Sequence, residues 1–250
     1  MSPSCRTVEP EELDGLTADD PRGLRSRRDL RRVHVVMRSV SNLRRAVAVL
    51  RLAVQPRRIL ELGAGDGTLL LRFARAQRPR WNDVKLTLLD RVDLVSEQTH
   101  AGYRDLGWQV RFLRADALEW AASPQTQSYD LCFANLFLHH FEAAPLIVLL
   151  RAVAAATDAF VACEPRRSKL ARVGSRLIIL LGASAVTRQD AVKSVAAGFT
   201  DRELSAAWNT AGGDWHLVEF PAPPFSHCLA AARAKSRPRT GEPQGSVHEL

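Results

Sequence analysis

The run Ile59-Leu60-Glu61-Leu62-Gly63-Ala64-Gly65-Asp66-Gly67-Thr68 constrains the fold of this chain more than any other feature. A short apolar segment ends in glycines at alternate positions, and a helical pattern begins at Thr68. Glycines at a strand-to-helix junction admit the positive φ angles of a tight turn and leave main-chain atoms open to a ligand. The spacing excludes two kinds of phosphate site. A dinucleotide-binding Gly-x-Gly-x-x-Gly needs glycine at position 68, where this chain has Thr, and its third glycine comes one residue earlier. No Gly-Lys-Ser/Thr follows, so a P-loop is excluded as well. The junction suits a nucleoside-like ligand without a pyrophosphate.

Short apolar runs alternate with helical segments from here on, the pattern of parallel strands joined by crossover helices. Strands are expected at Arg58–Leu62, Val84–Leu89 with Asp90 at its end, Gln109–Leu113, Tyr129–Ala134 and Ala159–Cys163. Helices are expected at Thr68–Gln77, about 93–102 and Ala144–Ala156. After the fifth strand, helical patterns over 168–182 and 188–197 read as an insertion spanning about 166–199, ahead of a helix at Asp201–Asn209. Trp215–Phe220 and Ser226–Ala232 read as a closing antiparallel pair, with Pro221-Ala222-Pro223-Pro224 limiting pairing at the bend. The expected fold is α/β: a doubly wound, mostly parallel seven-stranded sheet with an antiparallel last strand, an N-terminal helical arm and a helical insertion.

Net charge is +8, which raises an anionic partner, but 31 of the 35 basic residues are Arg in an Ala-rich chain, a pairing that GC-rich coding alone favours. Residues 22–58 hold 12 Arg against the single acid Asp29, so the rest of the chain is nearly neutral. Residues 1–21 are acidic and aperiodic and are expected to be mobile. Over 22–41, Leu30, Val33, Met37 and Val40 recur at helical spacing beneath a basic outer face; a second helix carries Leu43, Val47, Leu50 and Val54 and is stopped by Pro56. Residues 1–41 are thus read as an acidic leader and basic arm able to cover a pocket, 42–235 as the main domain, and 236–250 as a disordered tail. The four cysteines form no Cys-x-x-Cys pair and have no His at ligand spacing, so neither a metal site nor a disulfide framework is expected. The N-terminus has no apolar h-region, and the longest apolar stretches fall far short of the ~20 residues of a membrane span. A cytoplasmic location is expected.

The run Glu61-Leu-Gly-Ala-Gly-Asp-Gly67 resembles motif I of the class I S-adenosylmethionine-dependent methyltransferases, whose sheet is Rossmann-like, and the resemblance extends over about 55–235. It implies that Glu61, Gly63, Ala64, Gly65 and Gly67 lie along the cofactor, with Glu61 near its methionine end. It implies that Asp90, with Arg91 beside it, meets the ribose hydroxyls, and that Asp116 and Ala117 meet the adenine. Tyr129-Asp130-Leu-Cys-Phe-Ala-Asn135-Leu-Phe-Leu-His139-His140-Phe141 resembles the fourth strand and the loop beside the sulfonium. Plainer roles stay open: Asp90 as a loop acid or helix cap, Asp116 as N-cap of 117–122, Asn135 as a strand end, and the two histidines as loop organisers. Asp66 and Thr68 are expected to organise the turn.

Methyl transfer from a sulfonium is an in-line displacement, so alignment and exclusion of water dominate, and a base matters only where the acceptor must lose a proton. His140, then His139, are the candidates for that base. The resemblance implies a small aromatic, quinone-like or polyketide-type acceptor, with oxygen first and carbon second as the methylated atom. Thr187–Ser194 reads either as a solvated helix face with Thr187 as N-cap or as a segment turning Arg188 or Asp190 toward the acceptor. The competing classes are an RNA methyltransferase using the basic arm and a non-catalytic cofactor-binding protein. Against the first, the chain lacks Asn/Asp-Pro-Pro-Tyr/Phe and a Pro-Cys nucleophile, and its arm has no aromatic platform for bases. A second copy of the chain is the other partner considered.

Overall fold

Strands that are apolar on both faces need a covering layer on each side, and this chain supplies both. The computed structural model describes residues 5–78, 80–124 and 127–234; the tail expected at 236–250 lies outside them. The strands are β1 (Arg58–Leu62), β2 (Lys85–Asp90), β3 (Gln109–Arg114), β4 (Leu131–Asn135), β5 (Ala159–Pro165), β6 (Trp215–Ala222) and β7 (Ser226–Arg233). They form a seven-stranded sheet in the order β3-β2-β1-β4-β5-β7-β6. The pairings among β1 to β5 are parallel, and β7 runs antiparallel to both β5 and β6. Successive residues point to opposite layers. Ile59, Leu131 and Phe133 enter one core, while Leu60, Leu62, Cys132 and Ala134 enter the other.

The helices are α1 (Pro21–Val36), α2 (Ser39–Leu50), α3 (Thr68–Gln77), α4 (Glu97–Arg104), α5 (Ala117–Ala122), α6 (Ala143–Ala156), α7 (Lys169–Leu177), α8 (Ala185–Ala197) and α9 (Glu203–Asn209). Strand order reverses between β1 and β4, and ligands of open α/β sheets bind at that edge, beyond the strand carboxyl ends. The insertion is a closed excursion. Phe199 donates its N–H to Pro165 O and Arg167 donates to Phe199 O, so the chain returns to β5 where it left it.

The N-terminal helices differ from the pattern in the sequence. The stripe Leu30-Val33-Met37-Val40 spans a break, because Arg38 takes a left-handed φ of 54° and starts α2. Asn42 fixes the break by donating to Met37 O at 2.9 Å and to Pro223 O at 3.3 Å. The second helix ends at Leu50, well before Pro56, with Arg51 in the left-handed region, and Val54 is exposed rather than on the buried stripe. The face of α1 that packs against protein is Gly23, Ser26 and Asp29, not its apolar stripe. Leu30, Val33 and Met37 instead line a cavity.

Candidate active site

A cavity of about 1020 Å³ opens at the carboxyl ends of β1 and β4, and one wall is the β1–α3 turn. Gly63, Gly65 and Gly67 all have left-handed φ, at 63°, 55° and 68°. At Gly63 a Cβ would lie 2.2 Å from the Phe137 ring, so close approach as well as φ requires glycine. At Gly65 a Cβ would meet nothing within 4 Å, and the residue lines the open cavity. Asp90 Oδ2 accepts the Gly65 N–H at 2.8 Å and its Oδ1 accepts from Val92, so the end of β2 braces the turn. Asp66 accepts from the Thr68 N–H and hydroxyl and from Arg31 Nε. Asp116 caps α5 through Oδ1, which accepts from Leu118 and Glu119, and Ala117 is buried behind it. Two buried atoms that border this cavity lack a partner: Glu61 Oε2 and Asn135 Nδ2. Burial, then the charges of Asp66 and Asp90, push the Glu61 carboxyl well above the usual range.

The second wall is the loop after β4. Leu136 takes a φ of 51°, a turn unusual for a branched residue, and Phe137 follows with its ring against Gly63. Glu164, wholly buried at the end of β5, holds this loop. It accepts the N–H groups of Phe137, Leu138 and His139, at 3.1, 3.0 and 3.3 Å, and meets His139 Nδ1 at 2.8 Å. His139 Nε2 faces Glu11 Oε1 at 3.3 Å. Burial alone would lower the pKa of His139, but the two carboxylates outweigh it and hold it at about 9. His139 is therefore a fixed cation at neutral pH. His140 is placed differently: its Nδ1 meets Asp14 Oδ2 at 3.0 Å, with no hydrogen bond to its Nε2 among the described residues. Ligand atoms of Glu11, His139 and His140 lie within 4.8 Å of one another, with His139 Nε2 facing Glu11 Oε1.

The roof joins three segments far apart in sequence. Residues 5–20, expected to be mobile, are instead fastened across the site. Arg6 donates to Leu138 O, His139 O and Phe141 O and lies over the Phe199 ring. Asp190 of α8 accepts the N–H groups of Glu12 and Leu13, and Ser194 hydrogen-bonds Glu11. Asp190 thus serves the leader rather than standing free at the cavity, and Thr187 is not an N-cap. Ser184 caps α8, while Thr187 is buried against Asp29 and Ser26 of α1. Arg91 lies 3.8 Å from Asp14, linking the end of β2 to the leader. Burial pushes His34, on the cavity side of α1, down to about 4, so it is neutral there. Sequence reasoning missed Glu164, Glu11, Asp14 and Arg6. Only Glu164 carried a signal, as a carboxylate closing an otherwise apolar strand, since such a charge is buried only with partners.

Residues 59–158 match the family model described as a methyltransferase domain. No curated sequence relative matches the chain. The fold is similar to that of the plantazolicin methyltransferase BpumL in complex with SAH, at 17% identity and a TM-score of 0.62, covering 86% of this chain and 92% of that one. It is also similar to an O-methyltransferase family protein from Burkholderia thailandensis, at 19% identity and a TM-score of 0.59, covering 88% of this chain and 62% of that one. The pyocyanin biosynthetic protein PhzM is similar at 18% identity and a TM-score of 0.56, over 90% of this chain and 62% of its own. At these identities the likeness establishes the fold.

Two stability measurements check this geometry. Gly63→Ala will lower stability by ~2–4 kcal/mol through the Phe137 clash and the left-handed φ, while Gly65→Ala, which meets only the φ penalty, will cost ~1 kcal/mol. Equal losses in denaturant unfolding would refute the assigned contact. Because the pKa of His139 rises from 6.5 to about 9 on folding, its contribution, up to ~3 kcal/mol, is complete below pH 6.5 and is lost as pH rises through about 9. Melting temperature will fall across that window, and Glu11→Gln will fall less steeply; parallel slopes would show that the proton is not held there.

Proposed function

We propose that this chain, which matches a methyltransferase-domain model over residues 59–158 and shares the fold of solved methyltransferases, uses S-adenosylmethionine to methylate an oxygen of a small aromatic, quinone-like or polyketide-type acceptor. When bound, S-adenosylmethionine supplies a methyl group on a positively charged sulfur, open to in-line attack. The residues fit it. Glu61 Oε2 and Asn135 Nδ2, an acceptor and a donor buried without partners, match the ammonium and carboxylate of a methionine moiety. Asp90 retains acceptor lone pairs for ribose hydroxyls, and Asp116, bonded through Oδ1, leaves Oδ2 for an exocyclic amine. Gly63, Ala64, Gly65 and Gly67 supply the backbone surface, with Arg91 and Ala117 flanking the nucleoside end.

The observation that carries the acceptor chemistry is the contrast between adjacent histidines. His139 is protonated and locked between two carboxylates, so it cannot take a proton at neutral pH. His140 gives its Nδ1–H to Asp14, which fixes the tautomer and leaves the Nε2 lone pair for the acceptor hydroxyl. Nε2 would take the acceptor's hydroxyl proton, and Asp14 would stabilise the resulting imidazolium. The leader and arm cover part of the cavity, which limits the access of water to it. Its lining is mostly apolar, which suits an aromatic or lipid-like acceptor better than a polar one. The neighbours named as an O-methyltransferase and as a pyocyanin biosynthetic protein accord with a small-molecule acceptor. A nucleic-acid role is disfavoured by internal engagement of the arm: Arg31 is bound to Asp66, Arg22 to Glu12 and Asp20, and Arg27 to the carbonyls of Leu16, Thr17 and Ala18. We assign the enzyme to a reducing cytoplasm, in keeping with Cys5, Cys132, Cys163 and Cys228 as free thiols.

Asp90→Ala will weaken S-adenosylmethionine binding by ~10–100-fold in calorimetry, and parent-like affinity would remove Asp90 from the site. His140→Ala will lower kcat by ~100-fold or more while leaving cofactor affinity within about threefold, and Asp14→Asn will lower it less. A more acidic phenol that arrives ionised will recover most of the His140→Ala loss. An equal defect on ionised and neutral acceptors would rule out His140 as the base.

A further inference from the structure

Helix α7 is turned inside out. Its buried positions are the small residues Ala171 and Ser175, while Leu170, Val173 and Leu177 are 65%, 53% and 52% exposed. The stripe continues into the following single turn, where Leu180 is 79% exposed. Beside this apolar stripe runs a parallel basic one, Lys169, Arg172 and Arg176, all solvent-facing. The exposure is clustered: among the described residues, eight of the 11 exposed large apolar side chains belong to α7 with its following turn or to α1. The two segments adjoin, since Ser184 just beyond the turn donates its N–H to Asp29 of α1 at 2.8 Å. Val36 of α1 is exposed and lines the same cavity as Leu177 and Leu180, and α1 carries the exposed Arg25, Arg28 and Arg32. The apolar stripe of α7 and its turn thus runs from the outer surface into the cavity mouth.

Exposed apolar side chains gathered on one helix and the turn after it, rimmed by cations, mark an interaction site. We propose that this face docks on an anionic lipid bilayer, setting the apolar stripe at the acyl boundary and the lysine and arginines among the phosphates, with the cavity mouth turned to the membrane. Charge decides the occupant. A second copy paired about a two-fold axis would bring the same basic stripe against itself, and like charges in contact oppose association. An anionic bilayer instead offers hydrocarbon to the leucines and negative charge to the basic margin. No helix among the described residues is long and apolar enough to cross a membrane, so the attachment is peripheral. The acceptor would then reach the cavity from the lipid phase, a substrate class that rests on the methyl-transfer reading, whereas the docking itself does not.

Vesicle co-sedimentation of the full chain tests it, using phosphatidylcholine vesicles with and without about 30% phosphatidylglycerol. The parent will partition at least about tenfold more strongly onto the anionic vesicles, and added salt will reduce this. Leu170→Gln with Val173→Gln, solvent-facing positions outside the cavity lining, will lose about tenfold of that partitioning. Lys169→Gln with Arg176→Gln will lose the preference for anionic over neutral vesicles. Both double variants will keep the parent circular dichroism spectrum and cofactor affinity, which separates failure of docking from failure of the methyltransferase reading. Parent protein that stays in the supernatant with every vesicle, or folded Leu170→Gln/Val173→Gln that binds as the parent does, would overturn the proposal. So would a dimer in sedimentation velocity that this variant dissolves while vesicles bind neither protein.

Discussion

The site depends on one buried carboxylate. Glu164 has no exposure, and a lone ionised carboxylate in such a position would be costly by several kcal/mol. It is held by a concentrated set of donors: three successive backbone N–H groups and the Nδ1–H of His139. The N–H groups of Phe137, Leu138 and His139 stand at the start of the single 3-10 turn Leu138–His140, where no preceding carbonyl accepts from them, so Glu164 serves as their partner. Each N–H left unpaired would cost ~1–3 kcal/mol. With the loop fixed, Leu136 holds its left-handed turn, Phe137 packs over Gly63, and the two histidines point in defined directions. The glycine-turn wall and the histidine wall of the cavity therefore share one anchor.

That anchor also explains the leader. His139 carries one proton into a pair of carboxylates, leaving the Glu11–His139–Glu164 group with a net charge of −1. Arg6 lies on the carbonyls of the same loop, and Glu164 is the foremost of the charges that favour its cation. An acidic leader with a single arginine is what this loop requires: acids for its imidazoles and one cation for its carbonyls and its surplus negative charge. The basic helix α1 is bound similarly, by Arg31 to the glycine turn and by Asp29 and Ser26 to α8. Much of the charge that looked available for a partner holds the roof down. The most exposed basic side chains lie on α1 and α7.

The strands were legible because period and environment agree in a doubly covered sheet: β1 coincides with its expected range and β2 to β5 differ by one or two residues at an end. The glycine turn was legible for the same local reason, since Gly63, Gly65 and Gly67 have the positive φ that only glycine adopts cheaply. The N-terminal region was not. An apolar stripe running through Met37 gives no sign of the break at Arg38, which is fixed by Asn42 reaching a carbonyl in the distant β6–β7 turn. Glu11 finds His139 at a separation of 128 residues, and aperiodic acids give no hint of such a partner. Thr187 had the residue type of a cap, but Ser184 starts the helix earlier and frees Thr187 to be buried against α1.

His139 and His140 show how little residue type decides once the surroundings differ. Both sit in one short turn with rings 4.3 Å apart, and each meets a carboxylate of the leader. His139 is buried and has a second carboxylate on its other nitrogen, so both ring nitrogens are engaged and its proton is retained up to about pH 9. His140 is partly exposed and engages one carboxylate through one nitrogen, which orients the ring without occupying the other. The first arrangement holds a buried cation; the second orients an imidazole and leaves its Nε2 without a hydrogen bond among the described residues. Since Glu11 and Asp14 are only three residues apart, one stretch of leader sets both outcomes, and the covering segment completes the cavity wall rather than lying over a finished one.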